Sequence, residues 1–186
     1  GTNETNITGN TFDSNSVSAE NTSTTVGGTK NVGNSYGGAI YSIKTIANTS
    51  TGINSTINRT NISDNTLKNN SAMLGGGIYN TITSTNTNAG TNSSDNTINI
   101  DSNTFEGNLA TLGGAIYNLV TSTNTGAGAN SSLNSLNITN NTFTGNSADI
   151  YGGAIYNELG AINLTNNNIF NGNLARYGGA ISNFAN

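Results

Sequence analysis

The sequence predicts an all-β protein, a parallel β-solenoid of about five coils. Its basis is a hexapeptide, Gly-Gly-Ala-Ile-Tyr-Asn or a close variant, which starts at Gly37, Gly75, Gly113, Gly152 and Gly178. The first three spacings are 38, 38 and 39 residues and the last is 26, so the earlier copies carry an insertion of about 12 residues. A fixed period of this size is typical of solenoid proteins.

Two further observations favour strands over helices. Apolar residues alternate with period two, as in Leu136-Asn137-Ile138, and no segment spaces them by three and four over a helical length. Asn (39), Thr (29) and Ser (20) make up 88 of the 186 residues, and Ser and Asn compete for the backbone hydrogen bonds of a helix. Proline is absent, as expected where backbone N–H groups are needed in a ladder. Each repeat is therefore expected to be one coil of about three short strands.

Stacked coils align equivalent residues in columns with a spacing of ~4.8 Å. The isoleucine of the hexapeptide and the apolar residue of an upstream Phe-x-x-Asn motif are expected to form two inward columns of the core. These columns are Ile40, Ile78, Ile116, Ile155 and Ile181, and Phe12, Leu67, Phe105, Phe143 and Phe170. The paired glycines permit a tight corner. The hexapeptide tyrosines have the opposite parity and are expected to form an external aromatic stripe: Tyr41, Tyr79, Tyr117 and Tyr156.

Asparagine recurs three residues after the aromatic position, at a second corner of the coil. Stacked amides can donate and accept hydrogen bonds along such a column and so satisfy the polar groups of the bends. This predicts an asparagine ladder of Asn15, Asn70, Asn108, Asn146 and Asn173. The hexapeptide asparagines predict a second ladder of Asn80, Asn118, Asn157 and Asn183. We interpret both ladders as structural.

The insertions of about 12 residues follow the hexapeptide in three copies, and each is expected to protrude as a β-arch or a hairpin. Stacked together they would form a flat wall rich in Thr, Ser and Asn, the most distinctive surface of the chain, unless they are solvated loops without a partner. Its candidate binding residues are Thr81, Thr83, Thr85, Thr121, Thr123 and Thr125. Sequons in the expected loops are candidate glycosylation sites: Asn21, Asn48, Asn54, Asn92 and Asn130.

The chain divides into residues 1–35, an irregular N-terminal segment with a first partial coil, and residues 36–186, the β-helix repeats. The last copy stops just after its strand without a capping helix, so the ends of the solenoid are expected to expose unpaired strand edges. Two explanations stay open. The chain is a slice of a longer solenoid, or copies stack end to end with residues 1–35 as a joining segment.

Composition removes several classes of function. The net charge is −4 and the five basic residues are scattered, which gives no footprint for nucleic acid. Cysteine and histidine are absent, so disulfides, zinc and thiol chemistry and a histidine base are not expected. No apolar run approaches the ~20 residues of a membrane span. Calcium could bind where Asp and backbone oxygens converge, but no acidic loop motif occurs, so no cofactor is expected.

Catalysis is not expected either. Glycoside hydrolysis needs two facing carboxylates. Asp64 and Asp101 lie one coil apart but are offset by one residue, because Asp101 aligns with Ser63, so they should point to opposite faces. Asp101 and Glu106 lie in one coil on different strands, and no cluster of acids with Arg or Lys occurs. The sequence therefore favours a structural or binding protein over an enzyme.

The pairing of Phe-x-x-Asn with Gly-Gly-Ala-Ile resembles the polymorphic outer-membrane-protein repeats of bacterial surface autotransporters, and is similar to adhesin-like surface proteins of some archaea. The resemblance covers all five copies, roughly residues 6–15 and 36–183. It implies a right-handed parallel β-helix, a cell-surface or extracellular location and a role in adhesion. It does not identify a ligand, because likeness of fold is a weak guide to function.

Three hypotheses for the function follow. The first is a structural and adhesive cell-surface protein that stacks with itself, head to tail, into an extracellular filament. The second is a monomeric adhesin segment that binds host glycans or proteins through the Thr/Asn-rich arches. The third is an ice-binding module, although its array would be only two or three ranks deep and the matching positions of the preceding copy are Ile43, Thr45 and Ala47.

Overall fold

A computed structural model of the chain describes residues 2–17, 35–48, 51–55, 57–93, 95–131 and 133–184. Within these residues there is no helix, and the regular structure is entirely β. The strands are β1 (Thr2–Thr8), β2 (Thr11–Asp13), β3 (Ile40–Asn48), β4 (Ile57–Ser63), β5 (Thr66–Lys68), β6 (Ile78–Asn86), β7 (Asp95–Asp101), β8 (Thr104–Glu106), β9 (Leu109–Leu112), β10 (Ile116–Asn124), β11 (Leu133–Thr139), β12 (Thr142–Thr144), β13 (Ser147–Tyr151), β14 (Ile155–Glu158), β15 (Ala161–Thr165), β16 (Ile169–Asn171) and β17 (Ile181–Phe184).

The pairings between these strands are parallel, and the sheets run along the stack of coils. Sheet A has the order β1-β4-β7-β11-β15, sheet B β2-β5-β8-β12-β16 and sheet D β3-β6-β10-β14-β17, while β9 and β13 form a short sheet C. Each five-stranded sheet takes one strand from each of five coils, from coil 1 (β1–β3) to coil 5 (β15–β17). The predicted all-β parallel solenoid is confirmed, and its handedness stays a prediction.

The first coil is in register with the others in the part that the structure describes. β1 pairs with β4 from Thr2 to Thr8, and β2 pairs with β5 from Thr11 to Asp13. Residues 18–34, which make up nearly half of the predicted joining segment, lie outside the described residues.

The hydrophobic core lies between sheets A, B and D. The isoleucines of the hexapeptide pair with one another from coil to coil without a shift, and Ile78, Ile116 and Ile155 are fully buried. In the second column the rings of Phe105 and Phe143 stack with their centroids 4.7 Å apart. Because each coil adds the same side chains at the same height, the core is a set of continuous columns.

The glycine pair forms the corner that leads into sheet D. Gly113 has φ of 65°, in the left-handed region that glycine adopts without steric cost. A Cβ atom on Gly114 would lie 2.1 Å from the carbonyl oxygen of Gly153 in the next coil. The corner therefore requires glycine twice, first for the backbone angle and then for the close approach of two coils.

The asparagines that follow the aromatic position form a hydrogen-bonded column at the next corner. Asn108 donates from Nδ2 to the carbonyl oxygen of Leu67 (2.8 Å) and to Oδ1 of Asn146 (2.9 Å). Its own Oδ1 accepts from the backbone N–H and from Nδ2 of Asn70, both at 3.0 Å. One buried amide thus satisfies polar groups of three successive coils. The column runs through Asn15, Asn70, Asn108, Asn146 and Asn173.

A second corner column with the same geometry was not predicted. Asn103 donates to the carbonyl oxygen of Ile62 (2.8 Å) and to Oδ1 of Asn141 (3.1 Å). Its signal in the sequence is an asparagine two residues before each Phe or Leu of the core column. The members are Asn10, Asn65, Asn103, Asn141 and Asn168.

The three insertions are β-arches, and the hairpin alternative is wrong. One arm of each arch extends sheet D and the other belongs to sheet A, so each arm pairs in parallel with the neighbouring arches. A hairpin would instead pair its own two arms in antiparallel fashion. The connection from coil 4 to coil 5 has no arch, because only Leu159 and Gly160 separate β14 from β15.

We expect Asn108→Ala to lower the free energy of unfolding by about 2–4 kcal/mol, because it leaves the backbone N–H of Asn70 and the carbonyl of Leu67 without partners in the interior. Chemical denaturation followed by circular dichroism measures this change. The matched control is Asn15→Ala in coil 1, where the side chain is exposed and only donates to Asn70. The control should cost less than about 1 kcal/mol, and equal losses in the two variants would contradict the ladder.

Candidate binding surfaces

The outward faces of the arches carry the predicted threonine wall, but the columns follow the 38-residue repeat, so Thr83 and not Thr81 aligns with Thr121. Thr83 pairs with Thr121 and Thr85 with Thr123, whereas Thr81 pairs with Leu119. Thr125 follows the end of β10 and is exposed.

Coil 1 continues these columns with Ile43, Thr45 and Ala47. Only the column of Thr45, Thr83 and Thr121 is therefore threonine in all three arches. The wall is a mixed polar surface with apolar members.

The interior of the arches is polar and hydrogen-bonded. At the tip of the middle arch, Asn86 donates from Nδ2 to the carbonyl oxygen of Gly90 (2.8 Å), and Asn124 makes the same contact to Gly128 (2.6 Å) in the next arch. Deeper inside, Asn92 donates to the hydroxyl of the buried Ser84 (2.8 Å). These bonds close the turns and hold the arms of each arch together.

Burial excludes two of the predicted glycosylation sites in the folded chain, and the other two in the arches stay predictions. Asn48 and Asn92 are buried, with exposed fractions of 3% and 0%. Asn54 donates from Nδ2 to Asn92, and Asn92 to Asn130, each at 3.2 Å, so the three form a ladder inside the arches. Because a glycan is attached at Nδ2, Asn48 and Asn92 are not accessible acceptors, whereas Asn54 and Asn130 are partly exposed. Asn21 lies outside the described residues.

The predicted external stripe of tyrosines is also wrong. Tyr79, Tyr117 and Tyr156 are buried in a second, smaller apolar cluster, and only Tyr41 at coil 1 is exposed. The segment before each glycine pair folds back over the outer face of sheet D and covers the rings with side chains such as Leu112. Parity placed the tyrosines outside the main core correctly, but it could not show that a further layer covers them.

A tyrosine hydroxyl in this cluster meets a carboxylate. Tyr117 donates a hydrogen bond to Oε2 of Glu158, which is on the neighbouring coil. Burial, and then the hydrogen bond and charge of Glu158, raise the pKa of Tyr117 well above its usual range. Burial likewise raises the pKa of Tyr79 and of Tyr156. The folded chain therefore favours the neutral form of these three tyrosines.

The outer face of sheet A is a flat polar surface that the sequence analysis did not assign. A column of amides runs along it, in which Asn99 donates to Asn61 (2.8 Å) and Asn137 to Asn99 (2.9 Å). The column consists of Asn6, Asn61, Asn99, Asn137 and Asn163. A parallel row carries hydroxyls and one carboxylate: Thr8, Ser63, Asp101, Thr139 and Thr165. Its sequence signal is the Asn-Ile or Asn-Leu pair of each copy.

The charged residues that the structure describes do not converge on one site. Asp101 lies beside Ser63, while Asp64 falls in the following corner with φ of 56°. Arg59 pairs with Asp95 at 3.3 Å, and Lys68 with Glu106 at 3.3 Å, both at the surface. Among the described residues, no three His, Cys, Asp or Glu side chains are grouped to hold a metal ion. No helix suited to crossing a membrane is found in the same part of the chain.

Comparison with protein families supports the resemblance seen in the sequence. Residues 104–119 and 140–158 match the model of the Chlamydia polymorphic membrane protein repeat. The matched residues contain Phe105 with Asn108 and Phe143 with Asn146, which form the aromatic and asparagine columns. The repeats are thus similar to those of polymorphic outer-membrane proteins, as predicted. No curated protein and no solved structure matches the chain significantly.

Tyr117→Phe should reduce the sensitivity of the fold to alkaline pH. A group with a raised pKa in the folded state contributes stability that is fully present below its unfolded pKa of about 10 and is lost as the pH rises above that value. We therefore expect the free energy of unfolding of the wild type to fall more steeply between pH ~10 and ~12 than that of the variant.

Denaturant titrations at several alkaline pH values measure the two slopes. Tyr177→Phe is the control, because its ring is half-exposed at coil 5 and should leave the slope close to wild type. Identical slopes for wild type and Tyr117→Phe would show that the buried hydroxyl does not govern the alkaline loss of stability.

Proposed function

We propose that the chain is a structural, adhesin-like protein of a cell surface, and that copies of its rod stack end to end into an extracellular filament. Similarity of two segments to a membrane-protein repeat supports the surface location and the adhesin-like character. The regular polar surfaces of the arches and of sheet A support an adhesive role. The edges of coils 1 and 5 support the stacking.

The observation that carries the stacking proposal is the low charge of the outer edge of coil 5. Proteins usually guard an exposed strand edge with charged residues, prolines or bulges. Between Ala161 and Phe184 the only charged residue is Arg176, and there is no proline. Coil 5 also exposes Ile169 (56%), Leu174 (67%) and Phe184 (53%). An edge with a single charge and several exposed apolar side chains accepts a further strand rather than repelling it.

Coil 1 offers an edge that matches coil 5 at two apolar or aromatic positions, and its strands also carry Glu4, Asp13 and Lys44. In the register used between all neighbouring coils, Tyr177 of one copy would lie on Tyr36 of the next, extending the outer aromatic cluster. Phe184 would lie on Ile43, and both side chains are about half-exposed in a single chain. The contact buries these apolar surfaces and pairs the backbone groups of both edges. Because the two edges differ, the contact is head to tail and propagates.

Electron microscopy of the wild-type chain should show rods that lengthen with concentration and repeat at ~24 Å, the height of five coils at ~4.8 Å each. The double variant Ile169→Lys/Phe184→Lys places charges on the edge of coil 5 and should remain monomeric in sedimentation. Leu133→Lys is the matched control, because Leu133 is equally exposed but lies on an arch away from the edge.

Dispersed wild-type monomers at every concentration, or rods formed by the double variant, would contradict the stacking. Neither result bears on the surface location, which is tested separately.

Antibodies against the arch tips should label intact cells of the source organism. Labelling only after lysis would contradict a surface protein.

A monomeric adhesin that binds glycans or proteins through the arches is the second candidate. The column of Thr45, Thr83 and Thr121 favours it, because these hydroxyls lie in register on one outward face. A glycan array probed with the wild type and with Thr83→Val/Thr121→Val tests it, and equal binding by both would count against the wall. The pairing of Thr81 with Leu119 interrupts the regular array that an ice-binding module needs.

A further inference from the structure

A cleft lies inside the first arch, where coil 1 faces away from the stack. Its volume is about 280 Å³, and it lies between β3 on one side and β1 and β4 on the other. Asn3, Thr5, Asn58 and Thr60 line one wall, and Lys44 and Ile46 line the other. The size is just below the roughly 300–1,000 Å³ of small-molecule sites, which suits one sugar ring rather than a chain.

Lys44 is the unusual member of this cleft. It occupies an inward position of β3, in the column whose other members are the buried Ile82 and Val120. Placing a lysine in an otherwise aliphatic column removes water from its ammonium group, and this desolvation costs free energy. Burial accordingly lowers the pKa of Lys44, and the negative charge of Asp95 opposes this only in part. Within the described residues, Lys44 makes no salt bridge.

The charge of the cleft is opposite to that of the chain. Lys44 and Arg59 both line it, and no acidic side chain does. The chain as a whole has a net charge of −4 and only five basic residues. Arg59 already pairs with Asp95 at 3.3 Å, so Lys44 is the cation available to a ligand. An anionic group placed beside Lys44 would offset the cost of its burial.

The neutral wall of the cleft is suited to hydroxyl groups. Asn3 donates to Asn58 (2.9 Å), Asn58 to Asn96 (2.8 Å) and Asn96 to Asn134 (2.7 Å). Each amide in this series of hydrogen bonds donates to the amide of the following coil, away from coil 1. Oδ1 of Asn3 is therefore the acceptor at the coil 1 end of the series. The hydroxyls of Thr5 and Thr60 both donate and accept. Amide and hydroxyl groups beside a cation are the complement of a polyol that carries a carboxylate.

Stacking of the kind proposed above would cover part of the cleft, because Ile162 of coil 5 lies in the column of Thr5 and Phe184 in the column of Ile43. The rest of the cleft lies in the arch layer, and only Leu159 and Gly160 connect coil 4 to β15. β15 begins at Ala161, in the column of Glu4, so it does not reach Asn3. No described residue of coil 5 lies in the column of Lys44. The site is therefore accessible in the single chain and partly covered in a stack.

We propose that this cleft binds one hexuronic acid residue of an acidic polysaccharide, with the carboxylate on the ammonium of Lys44 and the sugar hydroxyls on Asn3, Thr5 and Thr60. This site deepens the adhesin-like function, because it gives the adhesive surface a chemical class of ligand. It takes a terminal or isolated sugar residue. The contact is reversible and involves no covalent step.

Ligand-observed NMR and calorimetry with methyl β-glucuronide test the proposal on the full chain. We expect a millimolar Kd for wild type, weaker binding by at least about tenfold for the neutral methyl β-glucoside, and a similar loss for Lys44→Met. Lys44→Met should fold, because the same column holds Ile82 and Val120 in the next coils. Lys68→Met, which removes a lysine on sheet B far from the cleft, should bind as the wild type does.

Three outcomes would overturn the site. The first is the absence of methyl β-glucuronide binding up to roughly 50 mM, because a Kd above that concentration would be too weak for adhesion. The second is undiminished binding by Lys44→Met. The third is acetate binding as tight as the glucuronide, which would show an anion site without recognition of the sugar. The measurement is made on dissolved protein, so its failure is distinguishable from failure of the stacking or of the surface location.

Discussion

The hydrogen bond between asparagine side chains of successive coils is the interaction on which the rest of the structure depends. Only 32% of the residues are hydrophobic, so the core is a few columns wide. A narrow coil turns often, and at each turn backbone groups leave the sheets. A buried group left unpaired costs ~1–3 kcal/mol, and a coil of this size cannot absorb several such losses. Asn103 and Asn108 satisfy these groups at two corners with one side chain each. The high asparagine content is thus a structural requirement of the fold.

The same interaction restricts where the chain can vary. The two corner columns are always five residues apart, as in Asn103 and Asn108 or Asn168 and Asn173, because a change in spacing would break both ladders. The three arch insertions fall between sheets D and A, away from the two corner columns. The arches and the two ends of the rod are the parts that differ from coil to coil. The proposed sugar cleft and the proposed stacking edge lie in these variable parts. The asparagine columns that support both recur in every coil.

Much of the repeating structure was predictable from the sequence, because a sequence repeat fixes the register in which successive coils stack. The isoleucine column through Ile116 and the asparagine column through Asn108 follow from spacing alone. The failures have a common physical cause, which is that parity shows on which side of a strand a residue lies but not what covers it. Tyr117 was expected outside, yet the segment ending at Leu112 packs over it. Asn92 was assigned to a loop, yet it lies inside an arch. Lys44 could not be recognised as a site residue, because its surroundings come from β1 and β4, which are remote in sequence.

Hydrogen exchange of the corner amides tests the central role of the asparagine columns most directly. The backbone N–H groups of Asn65, Asn70, Asn103 and Asn108 donate to side-chain oxygens and not to another strand. If these bonds hold the coils together, the four amides exchange as slowly as those of the central strands β7 and β8 and open only when the coils separate. Exchange as fast as at the exposed arch tip around Ala127 would contradict this account, because the corners would then open without unfolding the rod.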